Sequence, residues 1–89
     1  MKTPVECPFP KRLKQVRQQV GLSQRKLGIE AGMDPSVSSA RMNQYEKGVH
    51  QPDFSMVHAL SKVLKVPTAF FYCVEDDLAE LILKWKGHQ

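Results

Sequence analysis

Residues 21–48 constrain the fold more than any other stretch, because glycines and capping residues divide them into two short helices. Ser23 is a good N-cap for a helix that opens at Gln24. Gly32 is expected to end that helix, since glycine adopts a left-handed conformation without strain. Gly28 presents no side chain, so a second helix can approach closely there. The sequence therefore predicts two helices that are joined by a tight turn and packed together.

The second helix of this pair contains amide and basic side chains and ends near Lys47. Asp34 as N-cap with Pro35 in the first turn favours a long helix, and this is our preferred interpretation. The alternative is an extended turn over residues 34–38, followed by a helix that starts near Ser39. In both cases the layout is that of a helix-turn-helix, which can place its second helix in the major groove of DNA.

The N-terminal part of the chain is predicted to form an arm and a helix. Residues 1–9 contain two prolines and are expected to be an extended arm. Pro10 can open the first helix, where its missing N–H has no cost. Leu13, Val16 and Val20 then fall on one apolar face of that helix.

The C-terminal half continues as helices. The spacing of apolar residues predicts a fourth helix at about residues 54–64. Thr68 is a suitable cap for a short fifth helix, and a sixth starts at Asp76 or Asp77, where acidic residues suit the helix dipole. No stretch alternates as a strand does, so the predicted fold class is all-α with five to six helices. The predicted divisions are an arm (1–9), a helix-turn-helix domain (10–73) and a C-terminal amphipathic helix (74–89).

Four motifs occur in order along the chain: Arg12-Leu13-Lys14-Gln15-Val16-Arg17, Gly21-Leu22-Ser23-Gln24, Tyr45-Glu46-Lys47-Gly48 and Pro52. Together they resemble the Cro and lambda-repressor type of helix-turn-helix, also called the xenobiotic-response-element type. The resemblance extends from about Arg12 to Phe71 and implies a compact DNA-binding domain of a transcriptional regulator. One departure is segment 34–39, which carries extra residues between the turn and Met42, the residue that anchors the second helix.

Helical geometry, at about 100° per residue, selects the side chains of the second helix that face away from Met42 and Tyr45 or flank that direction. Gln44 can pair bidentately with adenine and Arg41 with guanine. The residues expected to contact bases are Ser36, Ser39, Ala40, Arg41, Asn43 and Gln44. The residues expected to contact phosphates are Gln24, Arg25, Lys26 and Lys47. For Gln24, the resemblance implies a phosphate contact that also braces the second helix.

Two further sets of residues are expected to be structural. Arg17 and Glu46 match family positions that usually form a partly buried ion pair, and the resemblance implies the same pair here. The last helix has an apolar face that either caps the monomer core or pairs with a second copy across a two-fold axis. We expect dimerisation through this face, which consists of Leu78, Leu81, Ile82 and Trp85.

The charge is unevenly distributed along the chain. Residues 1–50 hold nine Lys and Arg against four Asp and Glu, whereas residues 51–89 hold four against five. A basic half joined to a nearly neutral half suits a phosphate-facing surface that is backed by a core or a dimer surface. Cys7 and Cys73 share no metal-ligand or redox spacing, so reduced thiols in a cytoplasmic protein are expected.

Other classes of function find little support in the sequence. The three histidines lie far apart, with no catalytic signature and no glycine-rich phosphate loop around them. We therefore predict no enzyme, no metal site, no cofactor and no small-molecule ligand. No apolar run approaches the length of a membrane span.

The sequence thus predicts a sequence-specific regulator of transcription, in the form of a small dimeric repressor on a palindromic operator in double-stranded DNA. The alternative is an antitoxin-like adaptor whose C-terminal helix binds a partner protein.

Overall fold

The computed structural model describes residues 5–85 and Gly87, and this part of the chain contains six helices and no strand. The helices are α1 (Phe9–Val20), α2 (Gln24–Glu30), α3 (Pro35–Glu46), α4 (Phe54–Leu64), α5 (Thr68–Phe71) and α6 (Asp76–Lys84). The predicted all-α fold is confirmed, and the bounds of α4 agree with those expected from its apolar spacing. Thr68 is the first residue of α5 and not its cap, because the chain is still extended at Pro67.

Two expectations about α1 were wrong. Phe9, assigned to the arm, is the first helical residue and is 3% exposed, with its ring 5.1 Å from that of Phe71. A proline in the first helical turn permits this earlier start. Val20, assigned to the apolar face with Leu13 and Val16, is 49% exposed because it ends the helix beyond the packed turns. Residues 5–8 precede the helix, and residues 1–4 of the expected arm lie outside the described residues.

The hydrophobic core lies where α1, α4 and α5 meet the α2–α3 pair. Leu13, Leu27, Leu60 and Phe70 are fully buried there. α5 is a single short turn, but it contributes two adjacent aromatic rings whose centroids lie 5.8 Å apart. The α2–α3 pair and α6 pack against this core.

Arg12 connects α1 to the start of α6. Its side chain is buried, and its guanidinium donates to the carbonyl oxygen of Cys73 at 2.8 and 3.1 Å and to Oδ1 of Asp76 at 2.9 Å. The guanidinium also lies over the ring of Phe70, 5.7 Å from its centroid. The hydrogen bonds from Arg12, followed by that from Lys11, hold the pKa of Asp76 below its usual value. We refer to the Arg12–Asp76 contact as the α1–α6 hook.

Candidate nucleic-acid interface

α2 and α3 cross at Gly28. A Cβ atom at this position would overlap the hydroxyl of Ser38 and would lie 3.1 Å from Cγ of Met42. Ser38 is fully buried, and its hydroxyl donates to the carbonyl oxygen of Arg25 at 2.6 Å. The absent side chain and this buried hydrogen bond together let the two helix backbones approach and hold α3 against α2.

The first turn of α3 resolves the two alternatives for residues 34–39: they lengthen the helix, and the extended turn is wrong. Asp34 is the N-cap, and its Oδ1 accepts a hydrogen bond from the backbone N–H of Ser36 at 2.8 Å. The hydroxyl of Ser36 donates to the same oxygen at 2.6 Å. These hydrogen bonds lower the pKa of Asp34. They also engage the hydroxyl proton of Ser36, so its oxygen is left as an acceptor.

α3 presents one polar face outward. Ser38, Met42 and Tyr45 are its buried residues. At about 100° per residue, the side of the helix opposite to them carries Ser36, Ala40, Asn43, Gln44 and Lys47, with Val37 beside them. Asn43 and Gln44 are half-buried and the others are exposed, as are Ser39 and Arg41 on the two flanks. All six residues expected to contact bases therefore lie on one helix, on its outer face or along the edges of that face.

Glu46 is the point where α1, α2 and α3 meet. Its carboxylate accepts hydrogen bonds from Arg17, with Oε2 2.5 Å from Nε and Oε1 3.1 Å from one terminal nitrogen. Arg17 also donates to the carbonyl oxygen of Leu22 at 2.8 Å. The side chain of Glu46 is only 3% exposed and that of Arg17 12%. The structure therefore brings the two expected partners together in a largely desolvated ion pair.

Gln24 belongs to the same network. Its side-chain amide donates to Oε1 of Glu46 at 3.1 Å and to Oδ1 of Asn43 at 3.4 Å. Gln24 is the first residue of α2, and Ser23 caps that helix by accepting from the backbone N–H of Lys26 at 3.0 Å. The first turn of α2 thus lies beside the C-terminal half of α3.

The expected phosphate-contacting residues fall at the two ends of this motif. Gln24, Arg25 and Lys26 form the first turn of α2, where backbone N–H groups point outward, and the two basic side chains are exposed. Lys47 is the C-cap of α3 and is also exposed. Exposed cations therefore border the polar face of α3.

The expected dimer residues belong to α6 or follow it directly, but they do not share one environment. Ala79 packs into the core, and Ile82 is half-buried against it. Leu78, Leu81 and Trp85 are 47%, 63% and 54% exposed. The apolar surface of α6 is thus wide enough to cover the core on one side and to remain open on another.

Sequence reasoning missed two buried polar residues: Ser38, which holds α3 against α2, and Arg12, which connects α1 to the start of α6. Ser38 gave no signal, because its burial depends on the crossing with Gly28. Arg12 lies in one of the four motifs, but its partners are about sixty residues away in the chain. An arginine next to another cation at the start of a helix is more often a surface residue.

Other chemistry is not assembled in the part of the chain that the structure describes. Residues 5–85 and 87 contain no group of three or more His, Cys, Asp or Glu side chains that could hold a metal ion. Cys7 is exposed, Cys73 is buried, and both are free thiols. No helix within the described ranges is long and apolar enough to cross a membrane.

Two short helices that cross at a glycine, the second with a polar outer face, define a helix-turn-helix fold. A family model described as a helix-turn-helix domain matches residues 11–69, and the chain belongs to this family. The resemblance of the sequence to helix-turn-helix regulators is thereby confirmed.

Two relatives and one solved structure support the same assignment. Two proteins named uncharacterized HTH-type transcriptional regulators, from Sinorhizobium medicae and Rhizobium meliloti, are each 30% identical over 69 residues, which is 78% of this chain. The chain spans about half the length of these relatives, since the match covers 47% of each. The crystal structure of transcriptional regulator BswR is similar, with 51% identity and a TM-score of 0.82 over 85% of this chain and 75% of that one.

Proposed function

We propose that this protein regulates transcription by binding a specific DNA sequence with α3 in the major groove. The observation that carries the proposal is the outer face of α3, where hydrogen-bonding side chains stand on a helix held from behind by Gly28, Ser38 and Glu46. A major groove is wide enough to admit an α-helix, and its base edges present distinct patterns of donors and acceptors. A DNA-binding regulator of this kind acts in the cytoplasm of a bacterium.

The base-reading roles follow from side-chain chemistry. Gln44 can donate to and accept from one adenine, while Arg41 offers two parallel donors to guanine. Ala40 is small enough for close approach and can contact a thymine methyl group. Asn43 is held by Gln24 at 3.4 Å, which limits its rotation and orients its amide. Ser36 and Ser39 extend the reading surface toward the first turn of α3.

The phosphate roles follow from position. Arg25 and Lys26 at the start of α2, together with Lys47 at the end of α3, can contact phosphates beside the C-terminal half of α3. The side chain of Gln24 braces α3, while the backbone N–H groups of the same turn of α2 meet a phosphate. Each neutralised phosphate releases counterions, so binding should weaken steeply with salt.

We further propose that the protein is a homodimeric repressor and that α6 supplies the dimer contact. A two-fold dimer reads a palindromic operator, because each protomer meets an equivalent half-site. The exposed Leu78 and Leu81 favour this arrangement. The second candidate, an adaptor that binds another protein through α6, draws on the same exposed side chains.

Selection of bound sequences from a random duplex pool tests the proposal. We expect a palindrome, and we expect Gln44→Ala to relax the preference at one position in each half-site. Gln19→Ala, which removes an exposed amide from α1, is the matched control and should leave the motif unchanged. Binding without any consensus sequence would contradict base reading by α3 and would favour the adaptor.

A further inference from the structure

Two side chains of opposite charge border the exposed apolar surface of α6, and their positions indicate which partner it binds. Asp77 lies in the first turn of the helix and Lys84 in its last turn. They are seven residues apart and therefore lie on the same edge of the face formed by Leu78 and Leu81, separated by about 10 Å along the axis. At that separation the two charges cannot pair within one helix.

Resting on the proposed dimer, we propose that two copies of α6 pack antiparallel, with Asp77 of each copy against Lys84 of the other. A two-fold axis perpendicular to the helices keeps matching edges on the same side while it reverses their direction. The acidic end of one helix then meets the basic end of its partner twice. A parallel pair would place each charged edge against the opposite edge of the helix, where Ile82 lies, so only the antiparallel arrangement joins the charges.

The apolar contacts agree with this register. When Asp77 is level with Lys84 of the other copy, the midpoint of the helix pair falls beside Leu81, the most exposed apolar residue of α6 at 63%. The two Leu81 side chains would then meet next to the two-fold axis, with Leu78 on either side. One alignment of the two helices therefore brings together both the Leu81 side chains and the pairs of Asp77 with Lys84.

Asp77 is the acidic residue available for this role. Its neighbour Asp76 is engaged by Arg12 and Lys11 of the same chain, at 2.9 and 3.3 Å. That engagement fixes the start of α6 on the body of the protomer. The hook therefore sets the direction of α6, while Asp77 and Lys84 determine how a second copy aligns with it.

α6 is only about 14 Å long, so this contact alone is smaller than a standard stable interface. We expect a weak dimer in free solution, with a dissociation constant in the micromolar range. Adjacent half-sites on DNA would raise the effective concentration of the two protomers and complete the assembly.

The test is sedimentation equilibrium of the full chain without DNA. Asp77→Lys and Lys84→Asp each replace two attractive contacts by two repulsive ones, and each should weaken dimerisation about tenfold. The double variant should return to within about threefold of wild type, although it keeps both charges that are unfavourable to the helix dipole. Glu30→Lys makes the same charge change at an exposed position of α2, away from α6, and should have little effect.

Mixing the two single variants provides the decisive readout. In their heterodimer one protomer carries lysine at both positions and the other carries aspartate at both, so both contacts are attractive. The mixture should therefore dimerise more tightly than either variant alone. Wild type that stays monomeric at all concentrations, or a mixture no better than its components, would overturn the proposal. The DNA selection experiment is independent of this result. If it yields a palindrome while the charge variants dimerise like wild type, only the antiparallel register of α6 is refuted.

Discussion

Gly28→Ala should destabilise the protein although alanine is the better helix former. The new methyl group would overlap the hydroxyl of Ser38 and would lie 2.9 Å from Sδ of Met33 and 3.1 Å from Cγ of Met42. The two methionine side chains are flexible and can shift. Ser38 cannot move without breaking its 2.6 Å hydrogen bond to the carbonyl oxygen of Arg25 in a fully buried site.

The magnitude follows from three terms. Overpacking costs about 1–3 kcal/mol, and loss of the buried hydrogen bond costs about 1–3 kcal/mol more. Replacing glycine by alanine within a helix offsets about 1 kcal/mol of this loss. The net loss is about 3 kcal/mol, which for a domain of this size lowers Tm by about 10–25 °C.

The assay is thermal and chemical unfolding followed by circular dichroism. Ser38→Ala removes the hydroxyl that the new methyl group would strike, so adding Gly28→Ala to that variant should cost much less than adding it to wild type. The coupling between the two positions is the diagnostic quantity. A Gly28→Ala protein that melts at or above the wild-type temperature would refute the close crossing of α2 and α3.

Three further predictions concern charge. Arg17→Ala leaves the buried carboxylate of Glu46 poorly compensated and should lower the free energy of unfolding by about 3–5 kcal/mol, whereas a melt identical to wild type would contradict a structural role. Because hydrogen bonds from Arg12 lower the pKa of Asp76, that carboxylate stabilises the fold above its unfolded pKa and loses this effect as the pH falls below about 4. The Asp76→Asn variant should therefore lose less unfolding free energy than wild type as the pH falls. If the unfolding free energies of variant and wild type fall in parallel with pH, the α1–α6 hook does not contribute to stability. For DNA binding, a dimer whose protomers each neutralise three phosphates predicts a log–log salt slope of about −5 in an equilibrium titration; a slope near zero would exclude those contacts.

Local signals were sufficient where a helix end depends on residues next to it. The bounds of α4 follow from its apolar spacing, and the start of α3 at Pro35 follows from Asp34, whose side chain accepts from the first turn. The sequence still allowed an extended turn over residues 34–38, because its short polar residues suit either conformation. In the structure residues 35–46 are helical, which brings Ser38 beneath Gly28; that contact depends on how the two helices cross and cannot be read from the sequence.

The role of a residue that depends on tertiary contacts could not be predicted in the same way. Arg12 looks like one member of a basic cluster, but its guanidinium is buried against Cys73 and Asp76. Val20 continues the helical spacing of α1 but lies beyond the last packed turn. In both cases the tertiary environment, rather than the residue type or its periodicity, determines the role of the side chain.

The buried polar groups of this protein stabilise the fold, whereas the outer polar groups of α3 are those that we propose to recognise DNA. Glu46 accepts hydrogen bonds from Arg17 of α1 and Gln24 of α2 while it belongs to α3, so one buried carboxylate fixes three helices. Gln44 lies on the outer side of the helix that this network holds, and Arg41 lies exposed on its flank. Substitution of either outer residue should therefore change sequence preference with little change in stability, because neither side chain is fully buried. Substitution within the network should reduce stability and, through misplacement of α3, reduce the preference at every base position together.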